Sequence, residues 1–137
     1  MSQKYYFLKS AFLQYSLQLI MSTKLIIAVR QDIKLSSGKL CSQVGHAVQE
    51  AVLTCKKEDN KLLKKYDKDG SVKICVKAFD ASHLENLVKE AENLGLITAL
   101  IEDEGRTELD RATLTCCAIG PGESYLIDKV CKSLKLL

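Results

Sequence analysis

One proline and seven glycines in 137 residues leave few breakers for long irregular loops, so most of the chain belongs in regular elements. No C-x-x-C occurs among the six cysteines and only two histidines are present, which removes the usual ligand spacing of structural zinc. Cys41, Cys55, Cys75, Cys116, Cys117 and Cys131 lie mostly inside apolar runs, where cysteine acts as a small hydrophobe rather than a disulfide partner. Adjacent Cys116 and Cys117 on a strand point to opposite faces. Six reduced thiols favour the cytosol. Also missing are G-x-G-x-x-G, G-x-x-x-x-G-K-S/T and G-x-S-x-G, which closes the dinucleotide, P-loop and serine-elbow readings. Residues 1–21 contain no acid at all.

What is present is the balance of a soluble globular protein, 47% hydrophobic and 27% charged, with room for one real core. The net charge of +3 conceals a split. Residues 22–77 are rich in Lys and Arg, whereas residues 78–137 carry an excess of Asp and Glu. Such polarity is a lead about partners. In the acid-free leader, Tyr5, Leu8, Phe12, Tyr15 and Leu19 follow a narrow helical seam. Lys9, Ser10, Gln14, Ser16 and Gln18 interrupt it too often for a membrane span. Three readings stay open: a targeting segment, an extension made dispensable by a start at Met21, or a helix that packs on a partner. The division is therefore residues 1–22 as leader or extension and residues 23–137 as one domain.

From Lys24 onward, strand and helix patterns alternate. Leu25 to Val29 is a continuous apolar run, as in a strand covered on both faces. Leu40, Val44, Ala47, Ala51 and Cys55 mark a long helix facing a sheet. A lysine-rich stretch, 56–69, predicts a turn and a short helix ending near Gly70. Val72–Lys77 is the second strand. Asp80 or Ser82 caps a helix lined by Leu84, Leu87, Val88, Ala91 and Leu94, with Gly95 as its exit. Leu96–Ile101 and Leu114–Ile119 are the last strands, and Gly120-Pro121-Gly122 reads as a turn into a final helix. The expected architecture is a single α/β domain with a mixed, mainly parallel sheet and helices on its faces.

Two groups of residues have the chemistry for a site. Lys39, Gln43 and His46 form a polar stripe on the first helix, spaced within about 60° on a helical wheel. Lys39 opens toward the strand ends, where open α/β sheets bind ligands. An isolated stripe of this kind is more often a solvated face. The second group ends the third strand: Glu102-Asp103-Glu104-Gly105-Arg106-Thr107. Such a run is often only solubilising, with Arg106 paired to a neighbouring acid. Thr113 and Thr115 share a face of the fourth strand. A lysine, an acid and two hydroxyls are what is needed to hold a water and a carbonyl. Cys41 and His46, at i and i+5, point about 140° apart on the helix and make a poor dyad. His83, beside a capping serine, reads as exposed.

Taken together, these segments resemble the type 2 peptidyl-tRNA hydrolase family. The likeness runs through Lys24-Leu-Ile-Ile-Ala-Val-Arg30, Gly38-Lys39 with Gln43 and His46-Ala47, Asp103-x-Gly105-Arg106-Thr107, Thr115 and Ile119-Gly120-Pro121-Gly122. It covers residues 23–137 and leaves the leader outside. The sequence departs from the family at Glu102 and Glu104, and at Arg111-Ala112. The resemblance implies a four-stranded mixed sheet with helices on both sides. It also implies hydrolysis of the ester joining a peptide to the 3′-terminal ribose of tRNA. No metal cluster is visible in the sequence, so a reaction without metal or other cofactor is expected. Lys39, Asp103, Thr107, Thr115 and His46 are the implied catalytic residues, and Lys34, Gln43 and Arg106 would bind substrate. Peptidyl-tRNA is the expected partner, DNA is not, and any membrane contact would come through the leader. A monomer and a homodimer both fit. The expected location is cytoplasmic, or mitochondrial or membrane-associated if the leader targets. A non-catalytic tRNA- or protein-binding module of the same fold is the alternative.

Overall fold

The computed structural model describes residues 9–14, 22–106 and 111–137. Residues 9–14 are helical, with Phe12 and Leu13 exposed; the other leader seam positions, and Met21, lie outside the described residues. The domain runs β1 (Thr23–Arg30), α1 (Ser37–Glu58), α2 (Asn60–Lys68), β2 (Lys73–Ala78), α3 (Ala81–Asn93), β3 (Thr98–Asp103), β4 (Thr113–Glu123) and α4 (Ser124–Cys131).

The four strands form one mixed sheet in the order β2-β1-β4-β3. Only β1–β2 is parallel, while β1–β4 and β3–β4 are antiparallel. The sheet is therefore mixed as expected, but the parallel share is one pairing rather than the majority. The cause is the connection after β3. Among the described residues between β3 and β4 there is no crossover helix, so β4 returns beside β3 in the opposite sense. The continuous apolar run places β1 at the centre, between β2 and β4.

Alternation along the strands divides the core. Leu25, Ile27 and Val29 join Ala47, Ala51, Tyr66, Ile101 and Cys116 beneath α1 and α2. Ile26 and Ala28 join Leu84, Leu87, Cys117, Ile127 and Val130 beneath α3 and α4. Cys116 and Cys117 thus serve opposite layers, and all six thiols are free.

The helix ends have local causes. Ser36 accepts from Lys39 N–H at 3.2 Å and starts α1. Asp59 ends α1 and starts α2, accepting from Leu62 N–H at 3.0 Å. Asp80, not Ser82, caps α3 through His83 N–H at 2.8 Å. At its other end Gly95 adopts φ 73°, and Leu96 N–H closes on Ala91 O at 3.0 Å. His83 is half-buried rather than exposed, because its ring stacks on Phe79 and accepts that residue's N–H.

Gly120-Pro121-Gly122 does not form the expected turn. It continues β4, with Gly122 opposite Lys24 and Glu123 opposite Thr23. A side chain at Gly122 would meet Leu96 and Ile127, so close packing rather than turning selects glycine there.

Candidate active site

Capping by Ser36 orients the first turn of α1, and this carries Lys39 toward the carboxyl end of β3. There the Lys39 ammonium forms an ion pair with Asp103 Oδ1. The two side chains are only 9% and 6% exposed. The other carboxylate oxygen, Oδ2, accepts the Gly105 N–H at 2.9 Å. Gly105 has φ 79°, a conformation that suits glycine, and it brings its amide back under the acid. Asp103 is thus held from at least two sides.

A second pair lies deeper. Thr115 is fully buried on β4 and donates to Gln43 Oε1 at 2.6 Å. Gln43 is 4% exposed, although its stripe reads as solvent-facing in the sequence. Its position one helical turn before buried Ala47 turns it toward the sheet. Among the described residues, every fully buried side-chain polar atom is satisfied. Gln43 also lines the cleft, with its carbonyl held by Thr115.

The cleft has a volume of about 680 Å³ and lies between α1 and β3. Lys39, Gln43, His46, Asp103 and Arg106 all line it. His46 is exposed and Arg106 is exposed beside Glu104, at 3.3 Å. Lys34 is not part of this group, for it lines a separate depression with Leu40 and Leu137. Thr113 is also elsewhere, bonded to Arg111 O. Thr107 lies outside the described residues. Among the described residues, no three His, Cys, Asp or Glu side chains cluster as metal ligands would.

The thiols stand apart from this chemistry. Burial pushes Cys116 up to about 11 and Cys117 and Cys131 up to about 12, which keeps them protonated and unreactive at neutral pH. Cys41 is exposed but does not share the cleft with His46.

Lysines concentrate at the end of α1 and on α2. Lys56, Lys57, Lys61, Lys64 and Lys68 are exposed there, while half-buried Lys65 is engaged by Glu123 at 2.8 Å. Among the described residues, no helix is long and apolar enough to cross a membrane.

The profile of the family described as "Peptidyl-tRNA hydrolase PTH2" matches residues 23–137. A protein named peptidyl-tRNA hydrolase from Thermococcus onnurineus is 42% identical over 114 residues, 83% of this chain and 97% of the relative. One of the same name from Pyrobaculum aerophilum is 43% identical over 118 residues, 85% and 98% of the two chains. The Bos taurus protein named "Peptidyl-tRNA hydrolase 2, mitochondrial" is 41% identical over 113 residues, 82% of this chain and 63% of its own length.

Proposed function

The chain belongs to the peptidyl-tRNA hydrolase PTH2 family, and we propose that Lys39, Asp103 and the Gln43–Thr115 pair carry its reaction. That reaction is the hydrolysis of the ester between a peptide and the 3′-terminal ribose of tRNA. The observation that carries the assignment of roles is the nearly buried Lys39–Asp103 pair at the end of the cleft.

Ester hydrolysis needs a positioned water and a counter-charge for the oxyanion. Asp103 accepts a hydrogen bond from the water and takes its proton as the oxygen attacks the carbonyl carbon. Negative charge grows on the carbonyl oxygen. The Lys39 ammonium and the Gln43 amide N–H groups face that charge. The bond to the ribose oxygen then breaks, and the proton passes to that oxygen, leaving a peptide acid and free tRNA. Thr115, already donating to Gln43, positions the amide rather than touching substrate. His46 and Arg106, exposed on the cleft walls, contact the substrate outside the reacting bond.

The lysines of α2 and the end of α1 attract the phosphate backbone without reading sequence, which suits an enzyme acting on many tRNAs. Free thiols in an apolar core suit a reducing compartment such as the cytosol.

The test is incubation with N-acetylaminoacyl-tRNA and with free aminoacyl-tRNA, following release of the acyl group. Cleavage of the blocked substrate, lost in Lys39→Met and Asp103→Asn, is the expected result. Cleavage of neither substrate by the unaltered protein would leave the non-catalytic binding module. Undiminished turnover in both variants would remove the proposed roles.

A further inference from the structure

The two edges of the sheet are treated differently. The outer side of β2 is occupied by the end of the chain: Lys77 N–H donates to Lys135 O at 2.8 Å and Leu137 N–H to Cys75 O at 3.0 Å. Val76 and Leu136 form an antiparallel bridge between them. The outer side of β3 has no strand beside it among the described residues. An open edge presents main-chain donors and acceptors that can take up another extended segment.

The register identifies which groups face outward. Gly120 N–H donates to Ile97 O at 2.8 Å. In an antiparallel ladder this makes Ile97, Ala99 and Ile101 the residues bonded to β4, and it turns the main chain of Thr98 and Leu100 to the free side. A bulge follows between Ile101 and Glu102. Leu100 and Glu102 both line the cleft. The opposite wall is one face of α1, from Lys39 past His46 and Glu50 to Leu53 and Thr54. At 1.5 Å per residue this wall is roughly 22 Å long, about the length of six extended residues.

On the hydrolase reading above, we propose that the peptide arm of the substrate lies in this cleft, with its main chain paired in parallel to the open edge of β3. The reacting carbonyl is the peptide's carboxyl end, so the chain must lead away from the Lys39–Asp103 pair. β3 runs toward Asp103, which makes the pairing parallel. The charges select the occupant. Lys39 is paired with Asp103 and Arg106 with Glu104, so Glu50 and Glu102 leave the cleft lining net negative, which repels phosphates but leaves an uncharged peptide backbone unopposed. The lysines of α2 lie across α1 from it, where Lys64 borders a different groove with Val48 and Val52. Helix α1 therefore separates a peptide side from a nucleic-acid side. Main-chain pairing along an edge is indifferent to most side chains, as hydrolysis of peptides of any sequence requires.

The experiment measures kcat and KM for N-acetylaminoacyl-, dipeptidyl- and tetrapeptidyl-tRNA carrying the same last residue. KM should fall about tenfold along the series, the effect of one or two net main-chain hydrogen bonds, with kcat little changed. Methylating single peptide nitrogens in turn should cancel the gain at one position or more. Leu53→Ser, which removes apolar wall without adding charge at a side chain already 56% exposed, should raise KM for the tetrapeptidyl substrate several-fold. Hydrolysis of N-acetylaminoacyl-tRNA with KM insensitive to both length and N-methylation would overturn the peptide assignment while leaving the hydrolase reading intact. Hydrolysis of none of the substrates would remove that reading itself.

Discussion

The Lys39 ammonium and the Asp103 carboxylate meet across 64 positions of sequence, one from the first turn of α1 and the other from the end of β3. Neither element places its charge without the other, since each side chain is almost out of water. A charge stranded there loses its partner and its solvent together. The pair therefore joins two obligations, to chemistry and to the packing of α1 on the sheet.

That coupling is measurable. Lys39→Met and Asp103→Asn should each lower kcat/KM by about 100-fold or more, the usual scale for losing a positioned acid–base group. Each should also lose about 3 kcal/mol of stability, as when one member of a buried pair is removed. The double variant should be more stable than the two single losses added together. Urea melts of the four proteins, alongside turnover, check both parts.

Thr115→Val keeps the shape of the side chain but strands Gln43 Oε1. A buried acceptor left unpaired costs about 1–3 kcal/mol, and the amide is no longer fixed. We expect kcat to fall roughly tenfold with KM nearly constant. Thr115→Ser, which restores the donor, should recover most of kcat.

Alkali should destabilise the domain through its thiols. Cys117 and Cys131 are pushed by burial from an ordinary 9.0 to about 12. The unfolded chain therefore releases these protons first, and stability present below pH 9 is lost as pH rises from there toward 12. Thermal melts across that range should show a shallower decline in Cys117→Ala than in the unaltered protein. Alkylation followed by mass spectrometry should modify exposed Cys41 first and buried Cys116, Cys117 and Cys131 only on unfolding.

The lysine face predicts salt dependence. Binding of deacylated tRNA, followed by anisotropy between about 50 and 200 mM salt, should weaken linearly on logarithmic axes. Replacing Lys61, Lys64 and Lys68 with alanine should reduce that slope by up to about one for each phosphate that is no longer neutralised. Hydrolysis of saturating substrate should change little.

Two glycines should respond in opposite directions. Gly45 lies within α1, with open space where an alanine methyl would project, so Gly45→Ala should stabilise by about 0.5–1 kcal/mol. Gly120 has φ 110°, and a Cβ there would come within 2.7 Å of Lys24 O. Gly120→Ala should destabilise by at least about 2 kcal/mol, the scale of an unfavourable backbone plus a steric conflict. Calorimetry of the pair distinguishes helix propensity from close packing.

The apolar spacing of α1 is readable because helical periodicity is a local property: Ala47, Ala51 and Cys55 are buried as their positions require. Gln43 belongs to the same column, four residues before Ala47, and that spacing is the available sign that it faces inward. Its polarity points the other way and masks its phase. The Gly120-Pro121-Gly122 segment misleads for a different reason. Its composition is that of a turn, yet its extended path is imposed by Lys24 opposite and by Leu96 and Ile127 alongside. The shortness of the stretch between β3 and β4 is visible in the chain, whereas the adjacency of β1 and β4 is a long-range pairing with no local signature. The bond from Thr115 to Gln43 likewise spans 72 positions, and only the assembled sheet brings it about.

Ser22 and Thr23 fasten the start of the domain, through Ser124 at 2.9 Å and Asp69 at 2.7 Å. Because β1 and β3 run in the same sense, this attachment is at the end of the sheet remote from Asp103, about 33 Å away along the eleven residues of β4 that separate their registers. Whatever is joined ahead of Ser22, whether a carrier protein, a lipid surface or a sensor chip, would hold the domain by its base with its mouth facing away from the support.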